Sequence, residues 1–287
     1  MDADLDTKDN DRLNNELIEA AKSGDLEAVN NCLQKGALID YVDQSDNLTA
    51  LHYASANGHR DIISILLDND ADINVLTPDG WSILHIAALY GHKEIVSDLL
   101  NRGLKPNIVT RTHGVSVLHC AVENGQKEIV SELLDNDCDP YRLTDFGKTV
   151  LHWAAENGKH EIVSVLLDKE LDMLNYVDKD GWLALHLAAL NGHIDSVSEL
   201  LRRGSDVNAA TLDGTTALHL SSSKGHMAVV TVLLDHAADI NAKTADGTTA
   251  LHLSSMNGHV DVVTVLLDKA TDPNAKTAKM TSAESVI

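Results

Sequence analysis

Histidine is the residue with the most chemistry to offer in this chain. Fifteen of its 287 residues are His. Seven occur as Leu-His (His52, His85, His119, His152, His186, His219, His252) and five as Gly-His (His59, His92, His193, His226, His259). An imidazole can hold a metal, move a proton or change charge near neutral pH. A metal site needs three or four ligands at short spacing. Here each Gly-His follows a Leu-His by seven residues, with no carboxylate or cysteine at ligand spacing. The pattern therefore predicts structural imidazoles, the Leu-His rings bonding neighbouring backbone and the Gly-His residues opening a helix. Nucleophilic chemistry has no foothold either. There is no Gly-x-Ser-x-Gly, His-Glu-x-x-His or Cys-x-x-Cys. Gly147-Lys148-Thr149 matches the end of a phosphate-binding loop, but the earlier glycine such a loop requires would stand at Arg142. The chain reads as a non-enzyme without metal or cofactor.

What spaces the histidines is a repeat. Leu218-His219 returns 33 residues later as Leu251-His252, and further steps of 33 or 34 connect all seven Leu-His pairs. A period in that range marks a stacked solenoid, in which each unit touches only its neighbours. Asp79-Gly80, Asp180-Gly181, Asp213-Gly214 and Asp246-Gly247 are turn signals. A hydroxyl residue then precedes an apolar run (Thr49, Ser82, Ser116, Thr149, Thr216, Thr249) and reads as an N-cap. A short first helix ends at Asn-Gly or a similar pair, and a second follows, as over Val260 to Asp268. Helices this short are unstable alone in water, so stacking must hold them. Small pairs such as Ala87-Ala88 and Ser221-Ser222 allow close approach, and Leu-Leu pairs fill the layers.

Composition narrows the partners. Aromatics make up only 3 % of the chain, so the core must be aliphatic. The formal charge is -22, which disfavours nucleic acid and anionic membrane surfaces. Three cysteines (Cys32, Cys120, Cys138), an odd number with no metal spacing, and no apolar signal segment lead us to expect a reduced, cytoplasmic protein, a nuclear one not being excluded.

The pattern Gly-x-Thr-x-Leu-His-x-Ala-Ala-x-x-Gly-His, then Val/Ile-Val, Leu-Leu and Ala-Asp-Ile-Asn (Ala71 to Asn74, Ala238 to Asn241), closely resembles the ankyrin repeat. The resemblance covers roughly residues 13–277. It implies an all-α solenoid of antiparallel helix pairs joined by β-hairpin loops, with a concave groove that usually binds other proteins. The expected organisation is an acidic disordered tail over 1–12 and eight units near 13–44, 45–77, 78–110, 111–144, 145–178, 179–211, 212–244 and 245–277. Residues 278–287 would be a partial ninth repeat or C-terminal cap, and we expect a chain continuing further. The resemblance also implies that Asn74, Asn208 and Asn241 stand where animal ankyrin proteins are hydroxylated. Two departures matter. No unit has the family's Pro after the Thr, and Leu183 replaces the Thr altogether. The Gly expected after the second helix stands at Gly36, Gly103 and Gly204, but Asp70, Asp137, Glu170, Ala237 and Ala270 occupy it elsewhere.

Function should lie at positions the repeat leaves free, the hairpin tips and the ends of the first helices. Most units place polar residues there. Units three to six place Trp81, Leu89 and Tyr90, then His113 and Val115, then Phe146, then Trp182 and Leu190. Two of three tryptophans and the single Phe thus share one expected surface, and such residues anchor interfaces. Acidic tips at Asp79, Asp145, Asp180 and Asp213 rim it. The expected partner is a protein segment with an apolar anchor and basic flanks, bound by a monomer. One alternative is a ligand-sensing regulatory domain of oligonucleotide type, which would need a basic pocket around an aromatic, whereas Arg60, Lys93, Lys127 and Lys159 are scattered. The other is an inert spacer.

Overall fold

The computed structural model describes residues 2–169 and 173–269, with side chains from residue 10 onward. The chain divides into two compact units, one up to Pro140 and one from Tyr141. In the first, the pairs are α1 (Asp2–Ser23) with α2 (Leu26–Gln34), α3 (Ala50–Asn57) with α4 (Arg60–Asp68), α5 (Ile83–Tyr90) with α6 (Lys93–Asn101), and α7 (Val117–Glu123) with α8 (Lys127–Asp135). The second holds α9 (Val150–Glu156) with α10 (His160–Asp168), α11 (Ala184–Leu190) with α12 (Ile194–Arg202), α13 (Ala217–Lys224) with α14 (Met227–Asp235), and α15 (Ala250–Met256) with α16 (Val260–Asp268). One helix pair falls in each expected repeat. In the first unit α1, α3, α5 and α7 form one row and α2, α4, α6 and α8 another; the second unit stacks its helices in the same way.

The cores follow the repeat. In the first unit Leu51, Leu84 and Leu118 are buried with Ala54, Ala87 and Ala121 between them, and Ile62, Val96 and Ile129 close the layer from the second helices. Leu151, Leu185 and Leu218 do the same in the second unit. Every hairpin closes with a backbone bond, such as Thr77 N–H to the Trp81 carbonyl at 2.9 Å and Thr211 N–H to the Thr215 carbonyl at 2.9 Å. The described residues contain isolated bridges (Leu76 with Ser82, Val109 with Ser116, Ala210 with Thr216) and no extended strand.

Residues 2–12 of the acidic segment, expected to be irregular, form the first half of α1. No Gly or Pro interrupts residues 2 to 22, so nothing in the backbone stops the helix from extending outward from the packed turns at Leu17 and Ile18. The expected left-handed stops are present where they can be seen: Asp70, Asp137 and Ala237 have φ of 66, 59 and 64°. Glu170, Ala270 and the partial repeat at 278–287 lie outside the described residues.

Candidate interaction site

The histidines set the frame of the site. In Thr49, Ser82, Ser116, Thr149, Thr216 and Thr249 the N-cap hydroxyl meets the Nδ1 of the following Leu-His at 2.7–2.9 Å. The N-cap backbone N–H donates to the same nitrogen, at 3.2 Å for Thr49. Nδ1 is therefore an acceptor and Nε2 carries the proton. Nε2–H reaches the next hairpin: His85 bonds the Val115 carbonyl at 3.3 Å, His152 that of Trp182 at 2.9 Å, His186 that of Ala209 at 2.9 Å and His219 that of Thr248 at 3.1 Å. At Leu183 only part of this survives, its N–H donating to His186 Nδ1 at 3.0 Å. Burial pushes His52 and His85 down to about 4 and lowers His152, His186 and His219 as well. Neutral rings locked between a cap and a hairpin are mortar, not ligands.

The Gly-His rings do more than open a helix, which the sequence reading missed. Each reaches back to the end of the preceding first helix. His59 bonds the Lys22 carbonyl at 3.1 Å, His92 that of Ala56 at 2.9 Å, His193 that of Glu156 at 2.9 Å and His226 that of Leu190 at 3.0 Å. The ring lies over the glycine that ends that helix, so closely that a Cβ on Gly58 would come within 2.7 Å of His92. The signal was the pairing itself: a Gly and a His recurring once per unit, each serving its neighbour.

In the first unit, the tip of one hairpin, the end of α5 and the preceding hairpin enclose an open recess of about 400 Å3. Trp81, Leu89 and Tyr90 line it together, as expected, with Leu48, Ala56, Pro78 and Ile86 completing the apolar surface. Asp46 and Asp79 stand at its edge. The local backbone accounts for the placement. Gly80 has φ +85°, and a Cβ there would meet Arg111 N at 2.7 Å, so the turn before Trp81 requires glycine. Trp81 N–H donates to Thr77 Oγ1 at 3.0 Å, and its ring packs edge-on to His85 at 5.8 Å. Leu89 and Tyr90 close α5, which stops at Gly91 with φ +79°. Tyr90 is 59 % exposed, its ring stacked beside His92 at 6.5 Å.

Asp46 is held by Leu48 N–H at 3.2 Å and by the Tyr53 hydroxyl. Tyr53 also donates to Asp43 at 3.1 Å. Burial and the bonds to Asp46 and Asp43 raise the Tyr53 phenol, while bonds from the Ser45 backbone and hydroxyl hold Asp43 down at about 2. Tyrosine thus donates and Asp43 stays anionic.

Val115, expected on this surface, is not part of it. It is buried, its carbonyl taken by His85 and its N–H donating to Thr110 Oγ1 at 3.0 Å, so it offers no surface. Val115 keeps the hairpin bonds of Trp81, its counterpart in the preceding repeat, and its smaller side chain is covered where the indole is half-buried; His113, in the same loop, is exposed at φ 69°. In the second unit Phe146 is exposed at a hairpin tip, while Trp182 and Leu190 are half-buried. Trp182 packs edge-on to His186 at 6.2 Å, repeating the Trp81 arrangement. Asp79, Asp145, Asp180 and Asp213 are all exposed. Asn74, Asn208 and Asn241 are exposed too. Asn208 ties adjacent repeats, its amide donating to the Ala237 carbonyl at 3.3 Å and accepting Asp239 N–H at 2.7 Å.

Within each unit, helix pairs stacked by period and tied to neighbouring repeats through histidines define a helical repeat protein. The chain belongs to the ankyrin repeat family, whose model matches it in three copies over residues 17–112, 118–211 and 206–277. It is similar to a probable E3 ubiquitin-protein ligase, XBOS31, of Oryza sativa subsp. japonica, 41 % identical over 63 residues, which is 22 % of this chain and 14 % of the rice protein. It is also similar to the palmitoyltransferase ZDHHC13 of Mus musculus, 35 % identical over 83 residues, 29 % of this chain and 13 % of the mouse protein. These matches span only about an eighth of each relative's length. Ankyrin repeats are generic protein-interaction modules and the fold is typically non-enzymatic. No helix among the described residues is long and apolar enough to cross a membrane.

Proposed function

We propose that this chain is an adaptor or targeting module that captures a segment of a partner protein, with its main anchor site in the recess bounded by Trp81, Leu89 and Tyr90. The observation that carries this reading is the recess itself. In a chain with 3 % aromatics, one Trp and one exposed Tyr converge on an apolar hollow of about 400 Å3. Exposed aromatics of that kind supply most of the energy at protein interfaces. The equivalent place late in the second unit, a recess of about 370 Å3, is lined by Asp213, Thr215, Thr244, Asp246 and Thr248 with no aromatic. The specialisation is local and not a property of every repeat. In the second unit Phe146, Trp182 and Leu190 form a further candidate contact set at corresponding positions.

The test is affinity capture from host lysate with the native chain, with Trp81→Ala plus Tyr90→Ala, and with Trp182→Ala. Loss of specific partners from the first variant, with its unfolding midpoint kept, is the expected result. An unchanged set of captured proteins would remove the recess from the reading. Absence of any specific capture by the native chain would count against the module itself.

A further inference from the structure

The recess in the first unit carries more charge than an apolar anchor can use. Asp46 and Asp79 both border it, and neither Lys nor Arg does. Its single basic ring, His52, is kept neutral by burial, down to about 4. Arg111 stands outside the recess, its guanidinium on the Pro78 carbonyl at 2.9 Å, so no basic side chain lines the hollow that the two exposed carboxylates border. The comparison within the chain sharpens this. In the polar recess of the second unit each carboxylate is satisfied by its own turn: Thr211 donates to Asp213 at 2.5 Å and Thr244 to Asp246 at 2.6 Å. Asp79 holds the same turn position, yet its carboxylate makes no hydrogen bond or ion pair among the described residues. Its backbone carbonyl, by contrast, takes Arg111 N–H at 2.7 Å.

Three kinds of side chain could enter. An aliphatic one would cover the apolar wall but strip water from the Asp79 carboxylate without compensation, Asp46 being bonded already by Leu48 N–H and the Tyr53 hydroxyl, and that is costly. An acidic one would be repelled. A basic one lays its methylene stem against Leu48, Leu89 and the ring faces and brings its charge to the rim. Between the two basic residues the wall decides. Guanidinium is planar, sheds water more readily than ammonium, stacks on Trp and Tyr, and presents a fork matched to carboxylates.

We infer that the recess is an arginine pocket: the partner segment inserts an arginine whose stem lies between Trp81, Tyr90 and Leu89 and whose guanidinium is held by Asp79 and Asp46. This rests on the interaction reading above and replaces its apolar anchor with a cationic one.

The experiment uses the full chain and peptide mixtures with randomised flanks and one fixed central residue: arginine, lysine, citrulline, norleucine or glutamate. Binding is read from the indole N–H resonance of Trp81, assigned by its loss in Trp81→Phe. The arginine mixture should shift that resonance, with apparent affinity at least about tenfold above citrulline and norleucine, a difference large enough to mark a specific interaction. Added salt should weaken it. Asp79→Asn, at an exposed tip, should cost the arginine mixture most of that advantage while leaving the fold intact, and should leave norleucine binding unchanged or tighter. Norleucine equal to arginine would overturn the cationic anchor and leave the protein-binding reading standing. Lysine equal to arginine would overturn the guanidinium preference. Failure of every mixture to move Trp81 would overturn the pocket, while Trp81-dependent capture from lysate separately decides whether the site binds protein at all.

Discussion

Single residues here act mostly through the backbone conformation they permit. Ala237 ends α14 at φ 64°, in a place where Gly36, Gly103 and Gly204 stand in other repeats at φ of 87 to 97°. A Cβ at positive φ costs about 1 kcal/mol, and Gly removes that cost at some price in chain entropy. Ala237→Gly should therefore stabilise the protein by roughly 0.5–1 kcal/mol, seen as a higher urea midpoint. An unchanged or lower midpoint would contradict the strain. Gly58→Ala is the opposite case. It adds a Cβ at φ +78° and drives it to 2.7 Å from the His92 ring, which is itself bonded to the Ala56 carbonyl at 2.9 Å. The strain and the weakened bond together should cost about 2 kcal/mol or more. Gly36→Ala, at φ +90° but with nothing within 4 Å of the added atom, isolates the conformational part and should cost less. Equal losses at the two sites would mean that the imidazole does not pack as described.

At the scale of an element, the unit of construction is a hairpin, its cap and the first helix it launches. Ser82 accepts His85 N–H at 3.3 Å and meets His85 Nδ1 at 2.8 Å, while His85 Nε2–H bonds the Val115 carbonyl at 3.3 Å. One hydroxyl thus orients a ring that ties one repeat to the next. Ser82→Ala should cost about 1–2 kcal/mol, at the upper end of the usual cap penalty. Urea unfolding checks it, and a loss under a few tenths would show that the ring is held without the hydroxyl. These elements were legible in the sequence because each signal is local: Thr or Ser before the apolar run, Asn-Gly after it. The left-handed residues at Asp70, Asp137 and Ala237 could be located because the period aligns them with glycines. What could not be read was how much of a side chain at the Trp81 position stays in view: Val115 makes the same hairpin bonds as Trp81, but its short side chain is buried where the larger indole is half-buried. The helix over residues 2–12 was not legible from composition, because it continues outward from a turn packed at Leu17 and Ile18. The recess was half legible: Trp81, Leu89 and Tyr90 were found by contrast with blander repeats, but Asp46 belongs to another unit, and only the stacking brings it to the same hollow.

Across the whole molecule, the buried imidazoles add up to a property no single repeat reveals. His52, His85, His152, His186 and His219 are all lowered by burial from the ordinary value of 6.5, the first two to about 4. Their Nδ1 atoms accept cap hydrogens, so a second proton on the ring would break the cap as well as charge the interior. Unfolded chain has no such constraint and takes up protons from about pH 6.5 downward. The stability these rings contribute is thus complete above pH 6.5 and is lost progressively as pH falls toward about 4. Each ring adds up to about 1.4 kcal/mol per pH unit to that slope within its window. Carboxylates act lower down. Asp43, held by Ser45, and Glu199, held chiefly by Arg202, are both at about 2, so what they contribute survives until the pH drops below the ordinary carboxylate range. Acid also relieves the repulsion within a chain of formal charge -22, mainly where its many carboxylates begin to protonate. Between pH 6.5 and 5, therefore, the histidines should dominate. The free energy of urea unfolding should fall over that interval at constant ionic strength, with net proton uptake on unfolding measurable by titration in weakly buffered solution. A flat or rising profile between pH 6.5 and 5 would mean that the rings are already charged in the folded chain, and the tautomer on which the repeat-to-repeat bonding depends would then be wrong.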